Sequence, residues 1–203
     1  MNTLTKDITN TAETIEEMQS EKMRFVMNDL TPKNGWVHAY IVNVYVCKTD
    51  ILSKLQRVAN ELFISGQLSP YGMQNVYLIL DTFQKKYPEI VKSYTVEFVP
   101  GVCFGQRYDK KEMPEYLLVK DEFQFVLHDR SQNDRCNTYL VTAKSYDPDI
   151  LAELQMNAND MCKQGIMDGY TLLNDYMKKN PTNLLWYKVE NIPEICFGMS
   201  FEL

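Results

Sequence analysis

The chain has 203 residues and a net charge of -6, with 45% hydrophobic residues, 13 Tyr and 9 Phe. That length and aromatic content suffice for a packed core and exclude a mostly disordered polypeptide. The acidic balance argues against a general nucleic-acid coat, whose affinity comes from clustered Lys and Arg.

Residues 1–20 are polar, carry a weak capping-box pattern at Thr14-Ile15-Glu16-Glu17 and lack the apolar stretch of a secretory leader. Phe25 to Asp29 is a short apolar run that reads as a strand. Pro32-Lys33-Asn34-Gly35 is turn chemistry, and Tyr40, Val42, Val44 and Val46 then share one face of a second strand. Ile51, Leu52, Leu55, Val58, Ala59, Leu62 and Phe63 follow a broad helical stripe, with Asp50 placed in the first turn and Gly66 at the end. A second helix is expected from Ser69-Pro70 to Lys85-Lys86, before Pro88, and a final strand over Tyr94 to Val99.

The remainder of the chain repeats this order. Residues 123–129 and Tyr139, Val141 and Ala143 read as strands around the turn at 131–134. Asp147-Pro148 supplies an N-cap followed by Pro at the first helical position, Asp149 falls in the first turn, and Gly165 ends the helix. Asp168 caps a second helix that runs to Lys178-Lys179, and Tyr187 to Ile192 is a last strand. The copies also match residue by residue. Residues 50–60 and 149–159 agree at seven of eleven positions, and residues 94–105 and 187–198 at seven of twelve. The expected architecture is therefore α+β, a tandem duplication of a ββααβ unit. The segments are 1–20, unit one at 21–107, a linker at 108–121 and unit two at 122–203. A helical hairpin returns the chain to the end it left, so each third strand should run antiparallel to the second. The result would be two antiparallel sheets, each covered on one face by its helices, in a pseudo-twofold pair.

The closing motif, Glu97, Pro100, Cys103, Phe104, Gly105 and again Glu190, Pro193, Cys196, Phe197, Gly198, is the first place to look for chemistry. A thiol nucleophile needs a lowered pKa and usually a neighbouring His. Neither histidine is repeated, since His38 aligns with Asn137 and His128 with Asn28. The favoured reading is a buried Cys beside Phe, with Pro and Gly shaping a bend. Glu97 and Glu190 could form an acid/base pair across the pseudo-axis, though strand carboxylates more often face water. Gln56 with Asn60, and Gln155 with Asn159, lie four apart on one helix face; they could read a polar ligand or simply link helices. Lys85, Lys86, Lys178 and Lys179 could contact phosphates, but lysines in a last turn are already explained by the helix dipole.

No metal-ligand spacing and no phosphate loop occurs, so neither metal nor cofactor is expected. The five cysteines are scattered without a CxxC pair, a pattern of reduced thiols in a cytoplasmic protein. The longest apolar runs are too short for a membrane span. The leading expectation is a non-enzymatic binding protein with a surface or groove between the units, for a protein or small polar ligand. The alternative is a small hydrolase or transferase with paired Glu or Cys in an inter-unit cleft. Nucleic acid is a third and weaker reading.

Overall fold

The computed structural model describes residues 21–30, 38–46, 50–69, 72–104, 122–132 and 135–198, and among these described residues twelve segments with helical or extended periodicity form the elements. In chain order these are β1 (Glu21–Asp29), β2 (His38–Val46), α1 (Leu52–Ile64), α2 (Gly72–Lys86), β3 (Val91–Val99) and β4 (Gly101–Phe104). The second half follows with β5 (Glu122–Gln132), β6 (Arg135–Lys144), α3 (Ile150–Lys163), α4 (Gly169–Lys179), β7 (Trp186–Asn191) and β8 (Glu194–Phe197). The weak helix and capping box in 1–20, the Pro32–Gly35 turn and the 108–121 linker lie outside the described residues.

The protein is α+β with two four-stranded sheets among the described residues, ordered β3-β2-β1-β8 and β4-β5-β6-β7. β1, β2 and β3 pair antiparallel, as do β5, β6 and β7. The sheets are nevertheless mixed rather than antiparallel, which corrects the expectation. After β3 the chain crosses over at Pro100, and β4 pairs parallel with β5 of the other half; after β7 it crosses at Pro193, and β8 pairs parallel with β1. The segment expected to be a bend is thus a strand. A parallel pair needs a long connection; residues 105–121 lie between β4 and β5, and almost the whole chain lies between β1 and β8. Each sheet therefore takes its fourth strand from the far half.

Side-chain alternation explains the layering. On β1 and β2, Phe25, Met27, Tyr40, Val42, Val44 and Val46 face the core shared with α1 and α2, whereas Val26, Ala39 and Ile41 face the opposing sheet. The second sheet does the same, with Phe125, Leu127, Val141 and Ala143 toward α3 and α4, and Val126 and Leu140 toward the first sheet. The order of layers is helices, sheet, sheet, helices. Because the central strands are covered on both faces, Phe25, Val26 and Met27 are all 0% exposed, and such strands read as continuous apolar runs rather than alternating ones.

The helix ends follow local chemistry. Gly66 and Gly165 take positive φ of 69 and 76, conformations that cost an L side chain energy and glycine almost nothing. Gln67 N donates to Leu62 O and Gly66 N to Phe63 O, and Ile166 N and Gly165 N repeat the pattern on Met161 and Cys162, which is the Schellman arrangement. Asp168 caps α4 as expected, accepting from Tyr170 N at 3.1 Å. The starts of α1 and α3 differ from expectation: both begin later, at Leu52 and Ile150. Asp50 instead accepts from the Ser53 hydroxyl, and Asp147 accepts from Asp149 N at 2.9 Å, a turn closed before the helix rather than an N-cap.

Candidate functional site

Two features stand out, an amide clamp on each exchanged strand and a polar cluster with an adjoining pocket. The clamps involve residues singled out from the sequence. Gln56 on α1 donates from Nε2 to Cys196 O at 2.6 Å and accepts from Cys196 N at 3.0 Å. Gln155 on α3 makes the same pair with Cys103, both contacts 2.9 Å. Asn60 and Asn159 each accept a further bond from the Gln Nε2. A Gln side chain carries the same donor and acceptor as a peptide group, so each helix supplies one rung of hydrogen bonding to the outer edge of a short strand. Cys103 and Cys196 are buried at 2% and 5% exposure.

The polar cluster lies where the two sheets meet. Asn28 on β1 and Thr138 on β6 face each other across the sheets, with Glu194 at the start of β8. Asn28 Nδ2 donates to Thr138 Oγ1 at 3.0 Å and Glu194 Oε2 at 2.9 Å, and lies 3.8 Å from Cys196 Sγ. Thr138 also donates its hydroxyl to Glu194, and His128 Nδ1 stands 3.2 Å from the same oxygen. A hydroxyl has one proton and two lone pairs. With Thr138 giving that proton to Glu194 and accepting from Asn28, its remaining lone pair suits the His128 tautomer protonated on Nδ1. Asn28 and His128 are both 0% exposed.

Burial pushes the Glu194 carboxyl up to about 6 from 4.5, against the opposing pull of the hydrogen bonds from Thr138 and Asn28. The folded state therefore favours the protonated acid. The stability this group contributes is full below about pH 4.5 and is lost as pH rises through about 6, a difference of about 1–2 kcal/mol. Glu194→Gln keeps an oxygen to accept both bonds and removes the charge. It should raise the urea midpoint at pH 8 and leave it unchanged at pH 4; an equal or lower midpoint at pH 8 would show that the carboxylate is not strained by burial.

Beside this cluster is a pocket of about 70 Å³ at the start of α4, lined by residues that include Phe104, His128, Tyr139, Met167, Asp168 and Tyr170. Phe104 comes from β4, the strand supplied by the first half; the others belong to the second half. In the first half the start of α2 is closely packed at Gly72. A Cβ at Gly72 would stand 2.1 Å from Tyr40 Oη, 3.1 Å from Asp29 Oδ2 and 3.2 Å from His38 Nδ1. Burial lowers the His38 pKa, partly offset by the charge of Asp29.

The remaining candidates are dispersed. Glu97 on β3 and Glu190 on β7 are exposed in different sheets, and Glu190 meets Lys188 at 3.4 Å. Lys86 pairs with Glu61 at 3.0 Å, Lys178 with Asp175 at 3.9 Å, and Lys85 and Lys179 are exposed. Sequence reasoning missed Thr138 and Glu194 altogether and set His128 aside because it is not repeated. Among the described residues no group of three or more His, Cys, Asp or Glu could hold a metal ion, and no helix is long and apolar enough to cross a membrane. Comparison with protein families, curated proteins and solved structures finds no match.

Proposed function

We propose that this chain is a non-enzymatic binding protein, built from two copies of one unit about a pseudo-twofold, whose ligand sits in the pocket at the start of α4. The observation that carries the reading is the composite lining: Phe104 from the first half closes a pocket otherwise made by the second half. Folding thus creates the site only when both halves are in place. At about 70 Å³ it has room for a few water molecules, which suits a small ligand or one side chain of a protein partner and excludes a nucleotide.

The duplication is supported by matched strand orders, β3-β2-β1-β8 against β7-β6-β5-β4, and by the paired Gln clamps. Arg24 also donates to Gln124, one hundred positions later, at 3.1 Å across the sheets. Polar function would then have diverged to one side. Asn28 corresponds to His128, and Ala39 to Thr138. Glu194 stands where the first copy has Gly101, where a Cβ would stand 3.4 Å from the His128 ring, an ordinary contact. The hydrolase or transferase reading has less support. Glu97 and Glu190 are exposed in separate sheets, and both cysteines are buried under the Gln clamps.

The test is a small-molecule fragment screen by methyl NMR, with Leu127, Met167 and Val189 as reporters. Ligands should move these signals together and leave Val58 and Val76, in the first-half core, unchanged. Fragments that shift only residues remote from the pocket would remove the reading.

A further inference from the structure

The pocket also carries a chemical preference. Its lining includes the aromatic residues Phe104, Tyr139 and Tyr170 together with His128, Met167 and the acidic Asp168; among the described residues none of the lining is Lys or Arg. We propose, resting on the binding reading above, that the pocket selects an organic cation, an alkylammonium group held by aromatic faces and the Asp168 carboxylate.

The competing ligand at a helix start is an anion, attracted by free backbone N–H groups and the helix dipole. Here that role is taken from within. Asp168 Oδ1 accepts from Tyr170 N at 3.1 Å, and Oδ2 accepts from the Thr171 hydroxyl at 2.6 Å. An incoming anion would meet a carboxylate at the position it needs. A carboxylate has about four lone-pair sites, so two bonds leave Asp168 capacity to face a cation as well. Aromatic rings present a negative face that attracts ammonium groups within about 6 Å of the ring centre, which is how quaternary ammonium ligands are recognised in general. Tyr170 is 53% exposed, which places an aromatic ring at the mouth where a ligand enters. The net charge of -6 favours the approach of a cation over long range.

The experiment titrates the full chain, at constant ionic strength, with choline, with its uncharged isostere 3,3-dimethylbutan-1-ol and with 3,3-dimethylbutanoate. Methyl signals of Met167 and Val189 are the readout. Choline should bind at least about tenfold more tightly than the neutral isostere, and the carboxylate should bind least. Asp168→Asn, which preserves a good helix cap, should weaken choline about tenfold and leave the isostere unchanged. Tyr170→Leu, at an exposed position, should likewise weaken choline more than the isostere. Equal binding of choline and the isostere, tighter binding of the carboxylate, or an Asp168→Asn variant with unaltered choline affinity would overturn the cation preference while leaving a binding pocket. If none of the three probes moves Met167 or Val189 at concentrations up to about 100 mM, the cation proposal falls, and a fragment screen that also fails there takes the binding reading with it.

Discussion

Phe197→Ala is expected to lower stability by about 3–5 kcal/mol, the range for removing a buried aromatic ring from a packed core. The residue lies near the C-terminal end of the sequence, where a substitution would ordinarily be tolerated. Yet it is 0% exposed and packs in the core of the first half, with Phe25, Leu55, Ile79 and Phe83. The reason is the crossover at Pro193, which carries β8 onto β1 and sets Phe197 beside Asp29 in register. Urea unfolding gives the size of the effect, and amide exchange gives its location. Val26 N donates to Pro193 O and Leu30 N to Phe197 O, both at 2.8 Å. Protection at those two amides should fall before that of β5 and β6. A loss under about 1 kcal/mol would mean that β8 contributes little to the first half.

The second large effect belongs to the clamps. Gln56→Ala removes one side chain and leaves two buried groups, Cys196 N and Cys196 O, without the partners they have in the intact protein. An unsatisfied buried polar group costs about 1–3 kcal/mol, so the pair should cost about 3 kcal/mol, more than the loss of packing at a residue that is 7% exposed. Gln155→Ala should cost a similar amount through Cys103. Gln56→Glu discriminates the cause, because it preserves volume but has no amide donor for Cys196 O. If the Glu variant is as stable as the wild type at neutral pH, the bond from Nε2 to Cys196 O contributes nothing.

Local chemistry was legible in the sequence, and long-range pairing was not. The stripe from Ile51 to Phe63, the stops at Gly66 and Gly165 and the Asp168 cap all depend on neighbours a few residues away, and each is found in the structure. The antiparallel third strands followed from the helical hairpin between them. The four-residue strands β4 and β8 escaped because each is short and follows a proline, which read locally as a bend. Nothing within four residues specifies an edge in the other half of the chain. Gln56 and Gln155 were visible as a matched pair, but their targets lie 140 and 52 residues away. The polar cluster was hidden for a different reason. Requiring a functional residue to recur in both halves set aside His128, which corresponds to Asn28, and gave no reason to notice Glu194, which corresponds to a glycine. Asn28, Thr138, His128 and Glu194 meet because the sheets pack face to face, Asn28 and Glu194 from one sheet and His128 and Thr138 from the other.

The reciprocal exchange of β4 and β8 underlies the fold, the clamps and the composite pocket, and splitting the chain tests it directly. Two fragments, residues 1–112 and 113–203, are to be prepared separately and then mixed, with sedimentation velocity and amide exchange as the readouts. Each alone lacks the strand that completes its sheet and should be largely unfolded or aggregated. Together they should form a tight one-to-one complex with native protection restored at Val26 and Val126, whose amides bond to Pro193 O and Pro100 O across the exchange. Two fragments that fold independently as stable monomers and do not associate would contradict the account.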